Sequence, residues 1–328
     1  MSTGTVTAPA EGTTAARGGG LTWTVWRLHH PALLVWSAYV LSMVGWMLWL
    51  QYVKGAEIRA ERAACGQLED GCIDFESAFG YSQGMSWVGT LITYASYGVA
   101  AWAGASLVGR ELERGTAQLA WTQSVTPVRW LAVKLAVPAL ALTAGTTVLV
   151  LIYRWTWSSN RDLRGDEWYY TDPFVSRGPA VLAYALCALA VGALAGLALR
   201  RALPALAVAF GFMVAFHAWL DVRYDELWPT TTLTGTAAGR LPMTADQLEV
   251  GAITRSGTRV NDLTCFGGDS DLDYTRCMSG NGFTDLYAEV HPASHFWPLH
   301  LMTTGVILAV AVLATAAAFW LVRRRTAR

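Results

Sequence analysis

Six long apolar runs, almost free of charge, constrain this chain more than any other feature of its sequence. A hydrocarbon core is about 30 Å thick, and a helix needs about 20 apolar residues to cross it. Lys134 is the one formal charge inside these runs, and a lysine one turn from a span end is able to snorkel its ammonium to the surface. The runs predict six membrane spans, namely Pro31–Val53, Met85–Gly109, Trp130–Tyr153, Pro179–Leu199, Ala202–Leu220 and Trp297–Val322.

The composition agrees with a membrane protein and excludes other classes. Of the 328 residues, 53% are hydrophobic and only 15% are charged, and the mean hydropathy is +0.32. The formal net charge is zero, so nothing favours a nucleic-acid partner. We therefore predict an all-α integral membrane protein with six transmembrane helices, in contact with lipid and with no nucleic acid bound.

The segments outside the spans predict the remaining organisation. Residues 1–20 are rich in Thr, Ala and Gly, without the apolar core of a signal peptide, and predict a disordered tail. Residues 21–30, "LTWTVWRLHH", fit an interfacial helix in the headgroup plane or an extension of the first span. Residues 31–220 hold spans 1–5, 221–296 form a region between spans 5 and 6, and 297–328 hold span 6 with a basic tail.

Charge predicts which side of the membrane each loop occupies. If both termini are cytoplasmic, each side carries twelve basic residues, but the inner side has only three acidic residues and the outer side has 21. The inner basic residues lie in short segments next to span ends, including "RR" at 200–201 and "RRRTAR" at 323–328. Because short loops dominate the positive-inside rule, we predict cytoplasmic termini and an extracellular 221–296 region.

Four of the five cysteines fall in the two predicted outer loops, which suits an oxidising exterior. We predict the disulfides Cys65–Cys72 and Cys265–Cys277, 7 and 12 residues apart, while cross-pairing between the loops stays open. Zinc is less favoured because neither pair has the close Cys-x-x-Cys spacing.

The loop between spans 2 and 3, residues 110–127, holds the tightest charge cluster between the two ends of the chain. Gly115-Thr116 predicts a break after the helix of span 2, and residues 117–121 predict a short second helix. Thr126-Pro127 is typical of a helix start, because the threonine caps the first turn and the proline needs no amide partner.

The stretch "RELERGTAQLAWTQSVTPVRWLAVKL" resembles the corresponding loop of permease subunits of type-2 ABC exporters, most closely their actinobacterial branch. The resemblance implies that this loop is the coupling helix moved by a cytosolic ABC ATPase. The implied coupling residues are Glu111, Glu113, Gly115, Thr116, Gln123, Thr126 and Pro127, and we add their charged neighbours Arg110 and Arg114 to this ATPase-coupling set.

The resemblance also implies partners and location. The only lysines, Lys54 and Lys134, both follow valine, so neither fits the Gly-Lys-Ser/Thr of a P-loop. We therefore expect no enzyme activity and no cofactor in this chain, with ATP and Mg²⁺ bound by the partner ATPase. A dimer with a second permease copy or a homologous permease in the bacterial plasma membrane is expected, exporting a small molecule or peptide.

Polar and aromatic side chains inside the spans are candidates for a transport path. Span 2 is the most polar, and span 5 carries an aromatic stripe at helical spacing, so we predict a path along Thr90, Thr93, Tyr97, Phe212, Phe216 and His217. Interhelical hydrogen bonding and plain aromatic packing are the alternatives. In span 4, Gly192 and Gly196 form a G-x-x-x-G motif typical of close helix packing.

Two other functions stay open at this stage. A non-transporting scaffold or signal transmitter, driven by a cytosolic ATPase, would use the outer region to control an extracellular partner. A membrane enzyme would need a metal, yet Asp269, Asp271 and Asp273 lack the full calcium-loop pattern and His291 and His295 lack an acidic ligand between them. We therefore predict no metal site.

Overall fold

The computed structural model describes residues 20–65, 75–122, 125–160, 167–265 and 271–326. Within these ranges, six helices are long and apolar enough to cross a membrane, which confirms the six predicted spans. The spanning helices are α1 (Gly20–Trp49), α3 (Phe75–Glu113), α5 (Pro127–Ser159), α7 (Ala180–Leu199), α8 (Ala202–Arg223) and α11 (Phe296–Thr326). The shorter helices are α2 (Gly55–Cys65), α4 (Thr116–Thr122), α6 (Thr171–Ser176), α9 (Thr236–Gly239) and α10 (Asp271–Gly280).

Residues 21–30 form the first turns of α1, which continues past Pro31 into the first span. The helix is unbroken here, as the extension alternative requires. Proline is tolerated within a membrane helix when neighbouring groups satisfy the carbonyl that it leaves unbonded. An interfacial placement of these residues stays a prediction, because helix continuity alone does not fix their depth in a bilayer.

A π-helical turn, Leu50–Lys54, joins α1 to α2 and turns Gln51 into the protein. The side-chain oxygen of Gln51 accepts a hydrogen bond from the Asn160 amide at the end of α5. The same amide donates to the Tyr81 hydroxyl at 2.9 Å, and the Asn160 oxygen accepts from Arg59 at 2.6 Å. This buried network ties the ends of the first three spans together at one end of the bundle.

Helix α7 lies at the centre of the bundle, where most of its residues are buried against α3, α5, α8 and α11. Its contact with α3 is made between backbones. A Cβ atom at Gly104 would lie 2.5 Å from the carbonyl oxygen of Leu189, and one at Gly192 would lie 2.9 Å from that of Ala101. The close packing predicted from the G-x-x-x-G motif is therefore present, and α3 is the helix it serves.

The region between the fifth and sixth spans contains a β-sheet, so the prediction of an all-α protein is wrong there. Leu286, Ala288 and Val290 alternate along one strand and pack with Ala252 and Met278 in a small core of their own. This period of two is what a strand with one buried face requires. The antiparallel strands, in the order β1-β4-β2-β3, are β1 (Thr231–Thr234), β2 (Asp246–Thr254), β3 (Arg259–Val260) and β4 (Phe283–His291).

Polar contacts fix the sheet to the ends of the spans. The Trp168 indole donates to the carbonyl oxygen of Thr244 at 2.7 Å, and the Tyr224 hydroxyl donates to the Asp246 carboxylate. Burial raises the pKa of Asp246, while the hydrogen bond from Tyr224 acts in the opposite direction. We call this side of the bundle the sheet end and the opposite side, where α4 lies, the α4 end.

We predict that Gly104→Ala destabilises the protein, whereas Gly211→Ala does not. The added methyl at Gly104 would collide with the α7 backbone, and overpacking of this kind costs about 1–3 kcal/mol. Gly211 lies in α8, and a Cβ atom there would have no neighbour within 4 Å, so alanine should be neutral or slightly stabilising. Thermal unfolding of both purified variants measures the difference, and equal melting temperatures would show that the α3–α7 contact is not tight.

Candidate functional site

The segment from the end of α3 to the start of α5 has the form that the sequence predicts. Helix α3 ends at Glu113, and Gly115 turns the chain with a φ of 72°, a value that glycine adopts without strain. Helix α4 follows, and the Thr126 side chain accepts a hydrogen bond from the amide of Arg129 at 3.4 Å, with Pro127 in the first turn of α5. Gln123 lies outside the described residues.

Glu111 points into the protein and joins α3 to α5. Its carboxylate accepts a hydrogen bond from the Trp130 indole at 3.0 Å and forms an ion pair with Lys134. Lys134 is only 4% exposed, so its ammonium stays inside the protein although its position near a span end would allow it to reach the surface. The reason is local: a carboxylate within reach offers the buried ammonium a partner, and a charge at this depth needs one.

Aromatic contacts seat α4 on the start of α5. The Trp121 and Trp130 rings meet edge to face with centroids 5.6 Å apart, and the Lys134 ammonium lies 5.5 Å from the centre of the Trp130 ring. Ala117 is fully buried and packs in the same apolar cluster as Val108 of α3. A displacement of α4 therefore bears directly on both neighbouring spans.

Glu113 connects α3 to a third span. Its carboxylate accepts a hydrogen bond from the backbone amide of Ala202 at 3.4 Å, at the first residue of α8. A negative charge at a helix N-terminus is favourable because it faces unbonded amides and the positive end of the helix dipole. Arg200, in the tight turn between α7 and α8, adopts a left-handed conformation with a φ of 56°.

The segment 110–127, which we call the α4 segment, carries both charge and apolar area on its outward surface. Arg110, Glu113 and Arg114 are exposed, and Leu119 on α4 is 61% exposed. Leu119 is therefore open to contact with a neighbouring molecule, as an apolar side chain among charged ones. We call Arg110, Glu113, Arg114 and the exposed residues of α4 the α4 surface.

The predicted path residues separate into two groups. Thr93 and Tyr97 are fully buried, and the Thr93 hydroxyl lies 3.1 Å from that of Ser176, which itself donates to the carbonyl of Gly89. Thr90 donates to the Ser86 carbonyl within α3. The Thr93–Ser176 bond between α3 and α6 fits the alternative of interhelical hydrogen bonding, whereas the Thr90 bond stays within one helix.

The span 5 residues also divide between inside and outside. His217 is buried with its ring 6.1 Å from that of Tyr97. Phe212, Phe216 and Trp219 instead stack along α8, with neighbouring centroids 5.7 and 6.1 Å apart. Phe212 and Trp219 are exposed, whereas Phe216 is half-buried and packs against the bundle core. The structure therefore brings Thr93, Tyr97 and His217 into one buried region, leaves Phe212 exposed and places Phe216 between the two.

The structure describes one of the two predicted cysteine pairs and leaves the other outside the described residues. The sulfur atoms of Cys265 and Cys277 are at bonding distance, with Cα atoms 5.6 Å apart. The side chain of Cys65 and the whole of Cys72 lie outside the described part of the chain, as do the side chains of the 269–273 acidic pattern.

The ATPase-coupling set predicted from the sequence misses three residues of this site, namely Trp121, Trp130 and Lys134. Trp121 and Trp130 flank Thr126-Pro127 in the sequence, and a lysine one turn inside an apolar run is unusual enough to be a signal by itself. Their contacts depend on how α3 packs against α5, which the local pattern does not encode. Across the described residues, no group of three or more His, Cys, Asp or Glu is arranged to hold a metal ion.

Comparison with curated proteins and with solved structures found no match. A family model described as "ABC-2 membrane transporter related" matches residues 37–223. The matched segment takes in most of the first span, all of spans 2–5 and the loop between α3 and α5, and it covers more than half of the chain. The chain belongs to the ABC-2 membrane transporter related family.

Proposed function

We propose that this chain is the membrane-spanning permease subunit of an ATP-driven exporter whose ATPase is a separate polypeptide. The observation that carries the proposal is the α4 segment, in which an exposed short helix is connected through Glu111 to Trp130 and Lys134. A partner that binds the α4 surface would move α3 and α5 together. ATP and Mg²⁺ would be bound by that partner, and this chain would convert the partner's motion into a change of helix packing.

The connections of α3 support this mechanism. Glu111 joins it to α5, Glu113 joins it to α8, and the glycine contacts join it to α7. Packed helices transmit displacement because their interfaces have discrete arrangements and low compressibility. Alternating access would thus follow from rocking of α3 against its neighbours, with a small molecule or peptide as cargo.

We further propose that the α4 end faces the cytoplasm of a bacterial cell and the sheet end faces outward. The α4 end carries Arg110, Arg114, Arg200 and Arg201 beside short turns, as the positive-inside rule requires. In this orientation the Cys265–Cys277 pair lies in an oxidising compartment and closes the outer region as a disulfide. The exposed rings of α8, Phe212 and Trp219, would meet lipid or a second permease copy.

A second function is favoured by one observation, which is the folded sheet held to the span ends through Trp168 and Tyr224. A sheet fixed in this way would also pass motion of the spans to an extracellular partner. The chain would then be a signal transmitter driven by the same ATPase, without cargo. Transport of cargo into inverted vesicles distinguishes the two, since only the exporter accumulates it.

The α4 surface should be required for ATPase binding. We predict that Leu119→Asp lowers the amount of ATPase that copurifies by at least about tenfold, because an apolar anchor is replaced by a charge that must be desolvated. Leu263→Asp is the matched control, since Leu263 is 53% exposed at the sheet end. Quantitative copurification from cells measures both. Loss with Leu263→Asp, or full retention with Leu119→Asp, would contradict the proposed docking site.

The Glu111–Lys134 pair should matter for both stability and coupling. Glu111→Gln leaves the buried ammonium without a counter-charge, so we expect a loss of about 3 kcal/mol in stability. Glu57→Gln is the matched control, because the Lys54–Glu57 pair is exposed and worth no more than about 1 kcal/mol.

The double variant Glu111→Gln with Lys134→Met separates the two roles. It removes the buried charge, so thermal stability should return. Permease-dependent stimulation of ATP hydrolysis in proteoliposomes should be low in both the single and the double variant, because the contact between α3 and α5 is lost in both. Recovery of full stimulation along with stability would show that the pair is a structural contact only.

The proposed orientation predicts a labelling pattern. After mild reduction, an impermeant maleimide added to intact cells should label Cys265 and Cys277, and it should not label Cys187, which is buried in α7. Mass spectrometry of the peptides reads out each site. Labelling of Cys265 and Cys277 only after the cells are opened would invert the topology and remove the α4 surface from the cytoplasm.

A further inference from the structure

A cavity opens among α6, α7, α8 and α11 near the sheet end. Its enclosed volume is about 20 Å³, which is room for one water-sized group, and it continues into an open mouth. The predicted path residue His217 lines it, although the cavity as a whole was not expected from the sequence. The residues that carry the argument are Phe174, Tyr184, His217, Asp221, Tyr224 and Thr303.

Aromatic rings form the walls of this cavity. The ring centroids of Phe174 and Tyr224 lie 5.6 Å apart, and those of Tyr184 and His217 lie 5.0 Å apart. The faces of Phe and Tyr rings carry negative potential, which attracts cations and is strongest where water is excluded. A cation that reached the face of the Phe174, Tyr184 or Tyr224 ring would be attracted to it, whereas an anion would not.

A buried hydroxyl also faces the cavity. Thr303 is only 2% exposed, and its hydroxyl has no hydrogen-bond partner among the described residues. This is unusual on α11, since the neighbouring Thr304 donates to the His300 carbonyl and Thr315 donates to that of Ala311. A buried hydroxyl without a partner costs free energy, which a ligand N–H group would recover by donating to it.

Negative charge lies at the mouth. Asp221, one turn after His217 on α8, is exposed where the cavity opens. The turn that follows adds Asp225 and Glu226, against the single Arg223, whose guanidinium pairs with Glu226 at 3.1 Å. Residues 221–226 thus carry three carboxylates and one guanidinium, and this excess of negative charge raises the local concentration of cations.

We propose that this cavity is a binding site for the ammonium head of an organic amine that carries an apolar body. The ring faces and Asp221 would attract the charge, and the Thr303 hydroxyl would accept one of its N–H groups. If the protein is an exporter, this site would make it selective for amphipathic cations, and that part of the inference rests on the proposed function. Binding of the amine itself depends only on the cavity.

The experiment measures binding to the purified full chain in nanodiscs of zwitterionic lipid, without ATPase or ATP. The probe is 2-phenylethylammonium, titrated by calorimetry, with 2-phenylethanol as the neutral analogue and 3-phenylpropionate as the anion. We expect saturable binding of the ammonium, at least about tenfold weaker binding of the alcohol, and no binding of the anion. Failure here would leave the ATPase-docking results untouched, so the two proposals are tested separately.

Isosteric variants locate the site. Asp221→Asn should raise the Kd of the ammonium about tenfold, and Thr303→Val should raise it about fivefold, because a hydrogen bond to a charged group is lost. Glu226→Gln is the matched control, as it removes an equal charge from the same turn and should change the Kd less than about twofold. Equal affinity for ammonium and alcohol, no binding at millimolar concentration, or equal effects of Asp221→Asn and Glu226→Gln would overturn the proposal.

Discussion

The backbone contact between α3 and α7 holds the rest of the bundle in place. In a bilayer there is little hydrophobic gain from bringing two apolar helices together, so association depends on close packing and on hydrogen bonds. Gly104 and Gly192 make the close packing possible, because carbonyl groups of the opposite helix occupy the space that a side chain would need. Because α7 is buried by α3, α5, α8 and α11, this contact fixes the axis around which the other spans pack.

Helix α3 connects the two ends of the molecule along this axis. At the α4 end its last turns hold Glu111 and Glu113, which reach α5 and α8. Toward the sheet end the same helix supplies Tyr97, whose ring neighbours Tyr184 and His217 beside the cavity. A single rigid helix thus links the proposed ATPase-docking surface to the proposed cation site, which gives the exporter mechanism a physical path through the protein.

The parts of the fold that could be predicted from the sequence depend on properties of neighbouring residues in the chain. Span positions follow from length and hydropathy, and the turns at Gly115 and Thr126 follow from backbone preferences, so these agree with the structure. The pairing of Lys134 with Glu111 was missed because it joins residues 23 positions apart through helix packing. The sheet was missed although Leu286, Ala288 and Val290 alternate with polar neighbours, a strand signal that the charges and cysteines of this region obscure.

The central claim is that α4 is the place where an ATPase binds. A photoreactive phenylalanine analogue at position 119, introduced in living cells and activated by light, tests this contact directly. We predict one dominant protein adduct, in which the partner is identified by mass spectrometry as an ABC-type ATPase, and none from the same analogue at position 263. An adduct to lipid alone, or the same ATPase captured equally from position 263, would contradict the claim.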